Sequence, residues 1–227
     1  MSRPAPTFLD NDILPSPPSG AVPVLHNREY RVQSYRLESG RLLIQGALRD
    51  QKPPGLFIPG DPNPLTIHHM MLSMTVAMPS MVIEDVQTSF PAYPGEGCPS
   101  IIGHYDKLIG LSIARGFTHK VRELFGGPRG CSHTTALLQA MAPIAMQSFK
   151  SMEIAEAALE GRPNPVMETP TNDDSWKRLV NTCHVWAEDG QKVELKKRGG
   201  DTAPIRPLTM VRRMQEMGMQ ELGTDQR

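Results

Sequence analysis

An aspartate and a histidine on apolar strand faces are the residues of this chain best suited to acid–base chemistry. Asp50 ends an alternating pattern in which Ile44 and Leu48 share its face, and a carboxylate in that position needs a partner or a function. His68 opens a second alternation in register with Met70. If the two strands pair antiparallel, the end of one lies beside the start of the other, so Asp50 and His68 become neighbours. A carboxylate that orients an imidazole makes a good general base at neutral pH. The alternative is that the strand frays before Asp50, whose carboxylate then caps a turn.

A glycine-rich stretch, residues 126–133 (GGPRGCSH), supplies a second group of reactive side chains. His133 follows this corner on the first turn of a predicted helix, where it either acts as an acid, base or hydrogen-bond donor or bonds a backbone carbonyl. Cys131 at the helix start is either a nucleophile or inert packing. Residues two apart on a helix point to different sides, so a direct Cys131–His133 pair requires a non-helical first turn.

The other candidate residues follow from their types and positions. A developing negative charge on the substrate is predicted to be stabilised by a tyrosine (Tyr93 or Tyr105), by His69 or by His133. Substrate contacts are predicted for His69, Met70, Tyr105, Cys131 and Arg129. A metal site would draw on Asp50, His68, His69 and His133, but adjacent strand residues point to opposite faces, so His68 and His69 do not readily bind one ion. We therefore predict neither a metal nor a cofactor.

The elements that must position these residues can be read from periodicity. Alternation predicts four strands, over residues 30–37, 41–50, 67–76 and 81–87, with a hairpin turn at Glu38-Ser39-Gly40. Short links between them favour an antiparallel meander. Residues 51–66 hold five prolines and are expected to form a lid or a pocket wall.

Helical spacing follows the strands. It predicts three central helices over about 100–115, 118–125 and 132–160, the last kinked at Pro143. The predicted fold is therefore α+β: a curved antiparallel meander of about four strands packed against three central helices. The pocket is expected between the sheet and the 126–133 corner, under the proline loop and lined with methionine. Later residues predict a helix or docking segment over 173–182, a turn at 188–190, and a terminal helix over 207–222.

Composition narrows the function classes. The 227 residues carry 24 Lys+Arg and 24 Asp+Glu, and this balance argues against a nucleic-acid binder. No apolar run reaches the roughly 18 residues that span a bilayer. Three widely spaced cysteines are typical of free thiols in a reducing compartment, and with no signal-peptide pattern they predict a cytoplasmic protein. We divide the chain into a proline-rich N-terminal arm (1–27), one α+β catalytic or ligand-binding domain (28–195) and a C-terminal basic turn and helix (196–227). A homo-oligomer, most simply a dimer, is expected.

Several ordered segments together resemble a bacterial family, the domain of unknown function 2889 family. These segments are Gly46–Asp50 (GALRD), Ile67–Met70 (IHHM), Tyr93-Pro94 with Cys98-Pro99, Gly126–His133 and Asn181–His184 (NTCH), within about residues 28–190. The family pattern has an aspartate where this chain has His69. The resemblance implies a bacterial cytoplasmic protein, and some members look like parts of aromatic-compound catabolism.

The function expected from the residues and the resemblance together is a cofactor-free acid–base lyase. It would cleave a carbon–carbon bond of a phenolic substrate, for example with release of formaldehyde or carbon dioxide. His68, oriented by Asp50, would take the proton. Two alternatives stay open: a non-catalytic binding protein for an apolar aromatic ligand, and a metal-dependent hydrolase.

Overall fold

Four strands with alternating buried and exposed side chains form one antiparallel sheet. They are β1 (Asn27–Arg36), β2 (Leu42–Lys52), β3 (Leu65–Ala77) and β4 (Val82–Ala92), and each pairs with the next in the order β1-β2-β3-β4. The predicted meander is confirmed. β4 runs past its predicted end at residue 87 because Phe90 adds another buried position to the alternation.

The computed structural model describes residues 13–15, 18–21, 25–37, 40–114, 116–167, 175–200 and 207–219. Most of the predicted N-terminal arm lies outside these residues, as do Glu38 and Ser39 of the first turn and the end of the predicted terminal helix. The chain divides into two compact units, residues 1–152 and 153–227.

Two of the three helices predicted after the sheet are confirmed. α1 (Phe117–Phe125) and α2 (Ser132–Leu159) lie close to the expected bounds, and Pro143 is inside α2. The α-helix predicted over 100–115 is wrong: Cys98–Leu108 forms a 3₁₀ helix instead. Beyond it the backbone bonds the start of β4, since the N–H of Ile83 donates to Leu111 O (2.9 Å) and that of Ile113 to Met81 O (2.8 Å). Those bonds to a strand compete with continuation of the helix.

α2 packs against the same face of the sheet that carries Ile44 and Leu48. Gly46 on β2 faces Met141 and Leu137 of this helix, all within the buried core. Further along the helix, Ser148 Oγ lies 2.7 Å from Ser34 Oγ on β1. The apolar face of the meander therefore shares one core with α2, α1 and the 3₁₀ helix before them.

The second unit contains short helices. α3 (Gln191–Lys197) and α4 (Leu208–Glu216) bury Val193 and Met214, and two short 3₁₀ segments precede them at Ser175–Leu179 and His184–Trp186. The turn predicted at 188–190 is present, and α3 directly after it was not foreseen. No helix among the described residues combines the length and the apolar character needed to cross a bilayer.

We predict that Gly46 is required for the packing of α2 on β2. In Gly46→Ala a Cβ atom would lie 2.6 Å from Met141 Sδ, 2.9 Å from Met141 Cγ and 3.1 Å from Leu137 Cδ1. Because both neighbours are fully buried, we expect a loss of about 1–3 kcal/mol in the free energy of unfolding, measured by urea denaturation.

Gly103→Ala is the matched control, since nothing lies within 4 Å of a Cβ added there. It should change the free energy of unfolding by no more than about 0.5 kcal/mol. Equal stability of the two variants would contradict close packing at Gly46.

Candidate functional site

Three polar residues lie side by side in one row across β1, β2 and β3. In the strand register Arg28 is opposite Asp50, and Asp50 is opposite His68. The predicted pairing of Asp50 with His68 is thus present, at 3.0 Å between Asp50 Oδ2 and His68 Nδ1. A β-bulge follows at once, because Gln51 pairs with Thr66 and Ile67 is left over. A bulge bends the strand locally, here at the step beside the site.

Asp50 is the centre of this group. Its side chain is 1% exposed, and both its oxygens accept hydrogen bonds from Arg28, with Nε to Oδ1 at 2.6 Å and Nη2 to Oδ2 at 2.7 Å. His26 Nε2 lies 3.3 Å from Oδ1. Burial by itself would raise the pKa of Asp50, but the hydrogen bonds and charge of Arg28 outweigh it, with help from His133 and His26, and lower this pKa to about 2. The carboxylate is therefore ionised at neutral pH.

His133 reaches the same carboxylate from the start of α2. Its Nε2 lies 3.3 Å from Asp50 Oδ2, and its ring stacks on that of His68 with centroids 3.8 Å apart and planes 26° from parallel. Burial lowers the pKa of His133, the nearby His68 and Arg28 lower it further, and Asp50 only partly opposes them. The stacked His68 ring therefore disfavours a positive charge on His133.

The contacts with Asp50 determine the tautomer of each ring. An ionised carboxylate only accepts, so the ring nitrogen that faces it must carry the hydrogen. His68 therefore donates through Nδ1, which leaves its Nε2 as an acceptor. His133 donates through Nε2, which leaves its Nδ1 as an acceptor, 3.8 Å from Cys131 Sγ. In this tautomer the acceptor nitrogen of His133 faces Cys131.

An open cleft of about 570 Å³ adjoins the two histidines. β3 contributes His68 and Met70, the segment after β4 contributes Pro94, Cys98 and Ile101, and the corner before α2 contributes Pro128, Cys131 and His133. The cleft lies between the sheet and the corner, as expected. Met70 is its one lining methionine, and the proline loop over 53–64, described throughout, contributes no lining residue.

The other predicted site residues lie away from the cleft. His69 points to the opposite face of the sheet, in the row with Arg49, and burial together with Arg49 lowers its pKa. Tyr93 is 44% exposed and does not line the cleft, although the next residue, Pro94, does. Arg129 donates through Nε to Glu123 O (2.9 Å) and so caps the end of α1.

Tyr105 supports the corner instead of lining the cleft. Its ring is fully buried against Phe125, and its hydroxyl accepts a hydrogen bond from the N–H of Cys131 at 2.9 Å. Burial raises the pKa of this phenol, so Tyr105 stays protonated at neutral pH. Its contact fixes the backbone from which Cys131 and His133 project.

Sequence reasoning missed Arg28 and His26. The signal for Arg28 was available: a first hairpin with the observed register places it beside Asp50 on the apolar face. Arg28 was missed because the predicted strand begins at Tyr30, whereas β1 begins at Asn27. His26 precedes the strand and follows no alternation.

Asp50, His68 and His133 offer ligand atoms within 4.8 Å of one another, close enough to consider a metal ion. The donor chemistry fits a cation poorly. Both Asp50 oxygens already accept from Arg28, and the imidazole nitrogens that face Asp50 carry hydrogens. A cation between these groups would also lie beside a guanidinium, whose pKa is raised by its hydrogen bonds to Asp50.

These features define an α+β protein with a candidate acid–base site at one end of an antiparallel sheet. The chain belongs to the family described as "Protein of unknown function (DUF2889)", whose model matches residues 26–147. The match begins at His26 and includes Arg28, His68 and His133, which with His26 contact Asp50, whereas the Asn181–His184 segment lies outside it. Comparison with curated proteins and with solved structures found no match.

We predict that ionisation of Asp50 stabilises the fold above about pH 4. Because its pKa falls from the ordinary 3.8 to about 2 on folding, the unfolded chain binds more protons between these values. Stability is then lost as pH falls, on the order of 2 kcal/mol in all and about 1 kcal/mol of it between pH 5 and pH 3. Urea denaturation at both pH values measures this loss.

Asp50→Asn is the matched variant for this measurement. It should be less stable than the wild type at pH 7, because Arg28 loses its ionised partner. Between pH 5 and pH 3 it should lose about 1 kcal/mol less than the wild type. An identical pH dependence in both proteins would show that Asp50 does not titrate as its contacts require.

Proposed function

We propose that the protein is an enzyme of acid–base chemistry in which His68 is the general base. One observation carries the proposal: the ionised, buried Asp50 holds His68 through Nδ1 and leaves Nε2 as an acceptor on a residue that lines the cleft. An imidazole held in one tautomer by a carboxylate is the usual arrangement of a general base. Arg28 supports it by keeping Asp50 ionised.

The cleft supports a small, largely apolar substrate. Met70, Pro94, Ile101 and Pro128 give it apolar walls, and its volume of about 570 Å³ is suited to one or two aromatic rings. The family resemblance implies the same class, since some members look like parts of aromatic-compound catabolism. We therefore propose a phenolic substrate.

The reaction we propose is cleavage of a carbon–carbon bond without a cofactor. His68 removes the phenolic proton while a side-chain double bond conjugated with the ring takes up a proton from solvent, which gives a quinone methide. The bond to a carboxylate on that side chain then breaks, carbon dioxide leaves, and the bond's electron pair restores the phenolate ring. His68 returns its proton to the phenolate oxygen. A hydroxymethyl group would leave as formaldehyde in the same way once its hydroxyl proton is removed.

The proposal includes a cytoplasmic location and a homodimer, both of which rest on sequence. Three free cysteines, Cys98, Cys131 and Cys183, support a reducing compartment.

We predict that His68→Gln abolishes turnover and leaves the fold intact. Glutamine keeps a polar side chain near Asp50 but cannot accept and return a proton, so kcat should fall by about 10²–10⁴. A screen of phenolic acids and hydroxymethyl phenols, with carbon dioxide and formaldehyde as readouts, supplies the assay. Circular dichroism and urea denaturation check the fold.

His69→Gln is the control for the same strand. His69 is adjacent in sequence but faces away from the cleft, so turnover should stay within about twofold of wild type. Equal kcat in the His68→Gln variant and the wild type would refute the base assignment. If phenols bind to both variants and to the wild type and no product forms from any compound, the protein is a binding protein for aromatic ligands.

A metal-dependent hydrolase is the second candidate, favoured by the close approach of Asp50, His68 and His133. Because Arg28 already occupies the carboxylate, we predict that purified protein carries well under one equivalent of zinc, manganese, iron or nickel by elemental analysis. Dialysis against a chelator should leave turnover unchanged. One tightly held equivalent whose removal stops turnover would replace the acid–base proposal with the metal-dependent one.

A further inference from the structure

Cys131 lies at the start of α2, as the sequence predicts, but outside the helix itself. It lies just before α2, which begins at Ser132, and so the first-turn geometry that would separate it from His133 does not apply. Its backbone N–H donates to the buried Tyr105 hydroxyl at 2.9 Å. Its side chain is half-buried and lines the cleft.

Three side chains form a continuous line of polar contacts that ends at this thiol. Asp50 Oδ2 lies 3.3 Å from His133 Nε2, and His133 Nδ1 lies 3.8 Å from Cys131 Sγ. Since Nε2 carries the hydrogen that faces the carboxylate, Nδ1 is free to accept the thiol proton. A thiol whose proton passes to an imidazole held by a third group is the general pattern of an activated nucleophile.

We propose that Cys131 is an activated thiol that adds to an electrophilic carbonyl carbon, as in an aldehyde, of a small ligand in the cleft. The Sγ electron pair forms the carbon–sulfur bond while the carbonyl π bond breaks toward oxygen. The thiol proton passes to His133 Nδ1 and from there to that oxygen, which gives a thiohemiacetal. The addition needs no oxidant or reductant, and reversal of the same steps releases the ligand.

The ionised Asp50 beside His133 favours this step, whereas burial, His68 and Arg28 oppose a positive charge on the ring. Arg28, Asp50, His26 and His68 are the charged or titratable groups that contact His133 or its carboxylate partner. When His133 takes the thiol proton, its new positive charge lies beside ionised Asp50 and beside the thiolate. The amino end of the 28-residue α2, directly after Cys131, adds a partial positive charge.

This inference goes beyond the proposed function and does not depend on it, since addition to a thiol requires no carbon–carbon bond cleavage. It assigns His133 a proton-accepting role toward Cys131 that is separate from the role of His68. The reactivity of Cys131 toward an alkylating reagent can be measured whether or not the protein is a lyase.

Alkylation of the full chain by iodoacetamide at pH 7 tests the proposal, with peptide mass spectrometry reporting each cysteine separately. In this reaction the carbon–sulfur bond forms, iodide leaves, and the proton goes to His133. Cys183 is exposed and Cys98 lines the same cleft, so both are controls within each molecule. We expect Cys131 to react at least about tenfold faster than either, despite its partial burial.

His133→Ala should slow the alkylation of Cys131 at least about tenfold and leave Cys183 unchanged. Free imidazole should then restore much of the Cys131 rate and not raise that of Cys183, a rescue that a purely structural role of His133 would not give. A Cys131 rate at or below that of Cys183 in the wild type would overturn the proposal. An unchanged Cys131 rate in a folded His133→Ala variant would overturn the role of His133.

A second arm tests the ligand class. 4-Hydroxybenzaldehyde should protect Cys131, but not Cys183, from iodoacetamide, and dialysis should remove the protection. Fast alkylation of Cys131 with no protection by the aldehyde would keep the activated thiol and refute the carbonyl ligand.

Discussion

The structure depends on a single buried charge, the carboxylate of Asp50. A carboxylate that is 1% exposed is costly unless it is paired and hydrogen-bonded, and this one receives contacts from Arg28, His26, His68 and His133. Arg28 is the partner that keeps it charged, since its bidentate bonds outweigh the effect of burial on the pKa. Without that pair Asp50 would tend to protonate, and a neutral acid no longer requires both histidines to donate to it.

The fold brings these groups together with two independent elements. The strand register places Arg28, Asp50 and His68 in one row across the sheet, and a slip of one residue would turn Asp50 to the other face, where Arg49 lies. α2 supplies His133, and its distance from the sheet depends on the absence of a side chain at Gly46. The Gly46–Asp50 segment thus supplies the buried carboxylate, through Asp50, and allows the close packing of α2, through Gly46.

Sequence could predict the part of the site that depends on alternation. Side-chain direction in a strand follows from position, so the alternation placed Asp50 and His68 on the apolar face. The short connections between strands predicted antiparallel pairing, which makes these two residues neighbours. Arg28 was missed, because β1 begins at Asn27 and the predicted strand begins at Tyr30. Sequence reasoning also missed the 3₁₀ helix at Cys98–Leu108, because the segment that follows it bonds Met81 and Ile83 at the start of β4, which local helical spacing does not reveal. The support of Cys131 escaped for a similar reason: its N–H donates to the hydroxyl of Tyr105, 26 residues earlier.

One carboxylate oxygen gives the two histidines different chemistry. His68 meets Oδ2 through Nδ1 and His133 meets it through Nε2, so the free acceptor of each ring is a different nitrogen. On His68, which lines the cleft, that acceptor is Nε2; on His133 it is Nδ1, next to the Cys131 thiol. The rings stack, and burial together with the nearby His68 lowers the pKa of His133. A proton taken from a ligand and a proton taken from the thiol therefore compete for the same small site, and both depend on the negative charge that Arg28 maintains on Asp50.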